Sequence, residues 1–256
     1  MIHNFAQGTK ETYYGLGSNK VRVVTEAHYC AFHGGFGGAR VRVFIEAGFS
    51  GWGDLGAEDV VFSPYPIKGL IKRREVLYLL DSVMDPKAYR DSKQRYNRMV
   101  APFKSSISVS LATRREGLEI LSVYERWVSE KRNDPEVHQI TFTSGRYRRC
   151  VELGLMNPDL YRVFKIVADS KIVGARVLSV EGAGAYDLAF FVDTERAPSQ
   201  TSNNASFLIA HALYTQGVKF INSGDSLNRK LHQFKAHYPH QYVYFWSGKV
   251  KNVQTV

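Results

Sequence analysis

The sequence predicts an α/β (α+β) fold built on a mixed central sheet, in two lobes of which the N-terminal one is diverged. Three observations carry this. From residue 161 the strand and helix patterns follow in the order β-β-β-α-β-α-β, the order of a sheet with helices packed on it. The 256 residues suffice for two cores, and length favours two over one. Pairs of alternating strands recur in both halves. We place the boundary after residue 104, giving a lobe at 1–104 and a second at 105–256.

The first lobe opens with KVRVVTEAHYCAF (20–32) and ARVRVFIEAGF (39–49), alternating and rich in β-branched and aromatic residues, hence strands. Between them HGGFGGA (33–39) supplies four glycines, enough for a tight turn or a close approach to an anion. It matches neither GxGxxG nor the P-loop spacing. A loop-rich stretch leads to the strand REVLYLLD (74–81). PKAYRDSKQRYNRMV (86–100) opens on a proline suited to a first helical turn. Its stripe is Tyr89, Tyr96 and Met99 or Val100, ringed by Arg90, Arg95 and Arg98.

The second lobe begins with the strand SSISVSLA (105–112). A helix over 115–131 follows, with Leu118, Leu121, Tyr124 and Val128 on one face. SGRYRRCVELGL (144–155) is a second helix, carrying Arg146. With the 86–100 helix it could form an electropositive shelf, or merely present solvated faces. YRVFKIVAD (161–169) and KIVGARVLSV (171–180) read as a hairpin turning at Asp169 and Ser170, and AYDLAFFVD (185–193) returns across EGAG. The helix ASFLIAHALYTQG ends at Gly217, as helices do at a left-handed glycine. The strand VKFINS (218–223), a cationic helix and the strand HQYVYFWSG (240–248) complete the chain.

Composition narrows the function classes. No apolar run approaches the roughly 20 residues that span a bilayer, and the first residues lack the apolar core of a secretory signal. The expectation is a cytoplasmic protein without transmembrane association. Cys30 and Cys150 form neither a disulfide framework nor a metal cluster. The net charge of +10 implies an anionic partner, whether nucleic acid, lipid surface or phosphorylated cofactor. Phe, Tyr and Trp number 15, 15 and 3; beside basic residues they suit stacked bases, and equally they fill two cores.

Three stretches carry a resemblance. They are AYRDSKQRYNRMV before a strand and a helix bearing Trp127, VADSKIVGARVLSV, and VKFINSGDSLNRKLHQFKAHY. Over roughly residues 70 to 248 the chain resembles the GNAT acyltransferase superfamily. More narrowly it is similar to the two-lobed branch of peptidoglycan bridge-forming aminoacyltransferases and the catalytic domain of lysylphosphatidylglycerol synthases. The resemblance implies a GNAT-like mixed central sheet whose third and fourth strands diverge around an acyl donor. It also implies a donor pyrophosphate at the following helix N-terminus, where unpaired N–H groups and the helix dipole favour negative charge. Here that region is Ser202, Asn203, Asn204, Ala205 and Ser206; Ser202 could equally be only the helix cap. Coenzyme A-dependent members carry an Arg/Gln-x-x-Gly-x-Gly/Ala loop there, whereas TERAPSQTSNNASF has no glycine. The donor is therefore acetyl-CoA, aminoacyl-tRNA or another activated acyl group.

Acyl transfer to an amine needs a neutral amine, a stabilised oxyanion and a protonated leaving group. Asp187 interrupts an otherwise apolar strand; it could take a proton, bind an ammonium, or be a strand-edge charge. Asp225 follows a strand end, a common ligand position in α/β sheets, or caps the next helix. Asn222 could fix a substrate carbonyl. On the last helix Leu227, Leu231 and Phe234, extended by Tyr238, are the core stripe, leaving Arg229, Lys230 and Lys235 for water, phosphate or donor. The resemblance singles out Lys235, because the Phe-Lys pair matches a region contacting donor phosphate or oxyanion. Arg90, Arg95, Arg98 and Arg146 are the expected acceptor or polyanion contacts. Cys150 lacks a histidine partner and reads as a buried cysteine. His232 and His237 are five apart without further ligands, so no metal is expected.

The expected activity is N-acyl transfer, acetyl or aminoacyl, to an amine, an acceptor that could be a modified base of DNA or RNA. The alternatives are an aminoacyl-tRNA-dependent transferase and a non-catalytic nucleic-acid-binding protein on the same fold.

Overall fold

The structure, a computed structural model, describes residues 12–16, 19–25, 41–44, 56–57, 60–63, 65–131, 146–181, 183–225 and 229–253. The HGGFGGA loop, Cys30 and Leu227 lie outside the described residues, as do the side chains of Arg146 and Asp225. The strands are β1 Thr12–Leu16, β2 Asn19–Thr25, β3 Val41–Phe44, β4 Val60–Ser63, β5 Ile71–Leu79 and β6 Ile107–Leu111. The rest are β7 Tyr161–Ala168, β8 Lys171–Glu181, β9 Gly184–Val192, β10 Phe220–Asp225 and β11 Gln241–Lys249. The helices are α1 Leu80–Met84, α2 Ser92–Arg95, α3 Ala101–Lys104, α4 Gly117–Lys131, α5 Arg146–Met156, α6 Thr201–Thr215 and α7 Arg229–Lys235.

These strands form one mixed sheet in the order β1-β2-β3-β4-β11-β5-β10-β9-β8-β7-β6, resembling the GNAT architecture. The β3–β4 and β9–β10 pairs are parallel. The sheet is continuous across residue 104, because β5 is seated between β10 and β11. One core packs α4 and α5 on β7–β9 through Ile120, Val123, Val151, Val163, Val177 and Phe191. A second gathers Leu80, Phe207, Leu213 and Ile221 under α6.

Local chemistry sets the turns. Asp169 and Ser170 adopt φ of 47° and 62°, the paired left-handed conformation that lets a two-residue hairpin follow strand twist. Gly217 has φ of 87°. Its N–H bonds Tyr214 O at 3.0 Å while Val218 N–H reaches Leu213 O at 3.1 Å, closing α6 as a Schellman motif.

Three expectations are corrected. The 86–100 segment is not one helix: the Asp85 and Asp91 carboxylates accept from Lys87 N–H at 2.9 Å and Gln94 N–H at 2.7 Å. Each starts a new short turn, and a π-turn at Tyr96–Val100 precedes α3. Tyr89 is buried, its hydroxyl on Val83 O at 2.6 Å, whereas Tyr96 is exposed. On α4 the inward face is Ile120, Val123 and Tyr124, leaving Leu118 84% exposed; contact with β8 and β9 fixes the rotation. Finally, α6 starts at Thr201 rather than Ala205. Gln200 takes φ of 69° and Thr201 Oγ1 donates to Pro198 O at 2.6 Å, turning the chain four residues early.

Gly174 pairs with Val192, and a Cβ there would lie 2.5 Å from the Phe191 carbonyl oxygen. A backbone atom between paired strands cannot step aside. Gly174→Ala is expected to cost about 1–3 kcal/mol, lowering the melting temperature by roughly 3–10 °C. Thermal denaturation checks this, and an unchanged midpoint would show that β8 and β9 yield.

Candidate functional site

β9 and β10 run parallel but pair at only three positions, Phe220↔Gly184, Ile221↔Ala185 and Asn222↔Tyr186. At the closed end Gly184 gives the Phe220 ring its space, since a Cβ would lie 2.4 Å from that ring. At the open end Asn222 Oδ1 accepts from Gly224 N–H at 2.8 Å and Gly224 takes φ of 70°. This turn, with an irregularity against β5 between Asn222 and Asp225, carries β10 away from β9.

Asp187 is the first residue of β9 past the last pair. Arg176 of β8 grips it, Nε to Oδ1 at 2.8 Å and Nη2 to Oδ2 at 2.6 Å, and Ser223 Oγ donates to Oδ2 at 3.1 Å. Arg176 is 3% exposed. Burial disfavours its charge, but the adjacent Asp187 carboxylate prevails and raises its pKa. From α7, the buried Lys235 ammonium donates to Ser223 O, and its own carbonyl accepts from Tyr78 hydroxyl at 2.6 Å. The Tyr238 hydroxyl donates to Asn203 O at 2.8 Å, tying the chain after α7 to the first turn of α6. Burial, first among the causes, pushes both Tyr78 and Tyr238 phenols up, so they remain protonated donors. Tyr78, Arg176, Ser206, Ser223, Phe234 and Tyr238 line a small pocket with a cavity volume of about 20 Å³, room for about one water.

Of the expected site residues Ser206 lines this pocket, while Asp187 and Lys235 border it through their bonds to the lining residues Arg176 and Ser223. Lys235 is not left to water: α7 ends over β10, where the Ser223 carbonyl draws the ammonium inward. Tyr238 is buried, and Leu231 and Phe234 are half-buried. Ser202, Asn203 and Asn204 occupy the first turn of α6, which carries no acidic residue. The cap position is Gln200, without a side-chain cap bond, so Ser202 is not the cap.

Asn222 faces the other side of the sheet from Ile221, its amide donating to the buried Glu75 carboxylate at 2.6 Å. Arg98 donates to His237 O and lies 5.7 Å over the Tyr238 ring. Burial first, then Arg98, lowers the His237 pKa to about 4. Arg90, Arg95, Arg229 and Lys230 are exposed and outside the pocket lining.

Arg176, Ser223, Tyr78 and Glu75 join the site without having been expected there. The available signal was a second charge, Arg176, in the strand preceding Asp187; two opposite charges on neighbouring buried strands call for pairing. Cys150 is fully buried, its thiol 3.9 Å from Leu188 O. Among the described residues no group of three His, Cys, Asp or Glu is placed to hold a metal, and no helix is long and apolar enough to cross a membrane.

No family model and no curated protein sequence matches the chain. Solved structures do. A conserved protein of unknown function from Bacteroides thetaiotaomicron superposes with a TM-score of 0.61 at 12% identity, covering 95% of this chain and 86% of that one. The C-terminal domain of a putative lysylphosphatidylglycerol synthetase from Agrobacterium fabrum gives 0.57 at 13%, covering 95% and 85%. FemX gives 0.58 at 9%, covering 94% and 89%. At such identities the likeness establishes a GNAT-like fold, remotely similar to these proteins.

Proposed function

We propose that the chain is an acyltransferase that moves an activated acyl group onto an amine, with the donor held in the cleft between β9 and β10. The observation that carries this reading is the parting of two parallel strands after three pairs, beside a pocket lined by the buried, Asp187-paired Arg176 and bordered by the Lys235 ammonium. On this reading the 1–104 portion supplies the acceptor side and 105–256 the donor side.

The residues divide the work. Lys235 places an ammonium where β10 leaves β9, suited to stabilise the oxyanion that forms as the amine adds to the acyl carbon. The C–N bond forms, the bond to the leaving group breaks, and the amine surrenders one proton. Asp187, its carboxylate fixed by Arg176 and Ser223, orients the incoming amine and takes that proton through water. Asn222, buried against Glu75 on the opposite face of the sheet, is assigned to the acceptor side, where exchanging its internal bonds would let it hold an acceptor carbonyl. Asp225 continues that strand end. The first turn of α6, with Ser202, Asn203, Asn204 and Ser206, receives the donor's anionic end, assisted by Arg229 and Lys230. Its N–H groups and the lack of acidic residues fit a phosphate. The donor is acetyl-CoA or an aminoacyl-tRNA, and the positive charge favours an amine on DNA or RNA, contacted by Arg90, Arg95, Arg98 and Arg146.

The glycine-free TERAPSQTSNNASF segment favours a second reading, a nucleic-acid-binding protein without transferase activity. Native mass spectrometry after incubation with acetyl-CoA, aminoacyl-tRNA or an oligonucleotide decides between them. Saturable donor retention is the expected result; an oligonucleotide complex without any donor adduct would leave only the second reading.

A further inference from the structure

β11 carries three aromatic residues at alternate positions, Tyr242, Tyr244 and Trp246. Alternation puts them on one face. The antiparallel register with β5 sets Val76, Arg74 and Lys72 directly beside them on that face. Cations and rings interleave: Arg74 Cζ lies 5.1 Å from the Tyr242 centroid, and Lys72 Nζ lies 4.3 Å from Tyr244 and 5.6 Å from Trp246. The inner end is fixed by hydrogen bonds. The Tyr242 hydroxyl lies between His232 Nε2 at 3.2 Å and His240 Nε2 at 3.1 Å, and His240 Nδ1 contacts Tyr238 O at 2.9 Å.

The two faces of this strand pair differ along its middle, although Ile71 at the outer end of the first is exposed and Val76 at the inner end of the second is buried. Glu75, Phe245 and Ser247 on one are buried. On the other, Tyr244 is 46% exposed, with Lys72 and Arg74 also exposed. A half-exposed ring flanked by cations on a rigid strand is a poor core element and a ready stacking platform. Its two-residue repeat of about 6.8 Å is twice the 3.4 Å rise per nucleotide of a stacked strand. Tyr244 and Trp246 are therefore spaced for successive bases of an extended, unstacked strand and the cations match its phosphates, while Tyr242, stacked on His232, anchors the inner end.

We infer that the Tyr244–Trp246 face, with Lys72 and Arg74, binds an unpaired nucleic-acid strand. The bases stack on the rings, and Lys72 and Arg74 turn outward to the backbone. The surface needs no acyl donor and stands apart from the transferase reading.

The test is fluorescence anisotropy of the full chain with a labelled oligothymidylate of about twelve nucleotides, its duplex form, and anionic phosphatidylglycerol vesicles as competitor. The expected result is tighter binding of the single strand than of the duplex. Tyr244→Ala should weaken it about 5- to 150-fold, the range base–aromatic stacking spans, while Tyr244→Phe keeps it. Lys72→Gln with Arg74→Gln should lower the salt dependence by about 0.7 per lost phosphate contact. Both positions are exposed, so these variants fold, which circular dichroism verifies. Equal affinity for the duplex, unchanged binding by Tyr244→Ala, or capture only by vesicles would each overturn the inference. Because the assay contains no donor, its failure leaves acyl transfer untouched, and absence of transfer leaves this surface untouched.

Discussion

Replacing Arg176 by methionine should destabilise the protein by about 3–5 kcal/mol, the cost of leaving one member of a buried ion pair alone. The Arg176 and Asp187 side chains are 4% and 13% exposed. Without the guanidinium the carboxylate keeps the Ser223 hydroxyl, which cannot offset a charge held out of water. For a chain of this size the loss corresponds to a fall in melting temperature of roughly 10 °C. The companion double variant, Arg176→Met with Asp187→Leu, removes both charges and keeps the volume, so it should recover most of the loss. A double-mutant cycle by chemical or thermal denaturation reads the difference. Two strictly additive single effects would mean that the pair is not the unit it forms geometrically.

Lys235→Met should reduce acyl transfer by about 10²–10³-fold, the range for loss of one oxyanion donor, with donor binding and fold preserved. Methionine keeps the aliphatic stem and deletes the ammonium. The Tyr78 hydroxyl bond is to the backbone carbonyl of residue 235 and survives the substitution. The loss should fall on kcat rather than KM, since a group acting on developing charge contributes little to the ground state. Lys235→Arg should not restore full activity, because a planar fork cannot replace a compact, buried ammonium held on the Ser223 carbonyl. Unchanged turnover in Lys235→Met would remove this lysine from the chemistry.

What was legible in the sequence is what the chain decides locally. Asp169 and Ser170 announce a two-residue turn because their short side chains tolerate left-handed backbone, and Gly217 announces a helix end for the same steric reason. The β-β-β-α-β-α-β order follows from periodicity alone. The misread features depend on what lies across space. Leu118 is as apolar as Ile120, and only the position of β8 and β9 decides which turns inward. Lys235 reads as a surface cation until the end of β10 places a carbonyl within its reach. The Arg176–Asp187 pair spans two strands, and alternation shows each charge without showing that they meet. Asn222 and Ser223 are neighbours in sequence, yet strand alternation sends them to opposite faces of the sheet.

The seat of β5 between β10 and β11 also shapes the order in which the molecule can assemble. On a ribosome β5 emerges well over a hundred residues before either neighbour, so for that interval both its hydrogen-bonding edges await partners. Closing the centre of the sheet must then bridge long loops, whose entropic cost precedes any reward from pairing and slows folding. The charges of IKRREVLYL, three consecutive cations and a glutamate before the apolar run, suit that wait. A strand that begins with a block of like charge resists pairing with another copy of itself. The same residues that flank the aromatic face in the finished protein would thus guard the chain while it is being made.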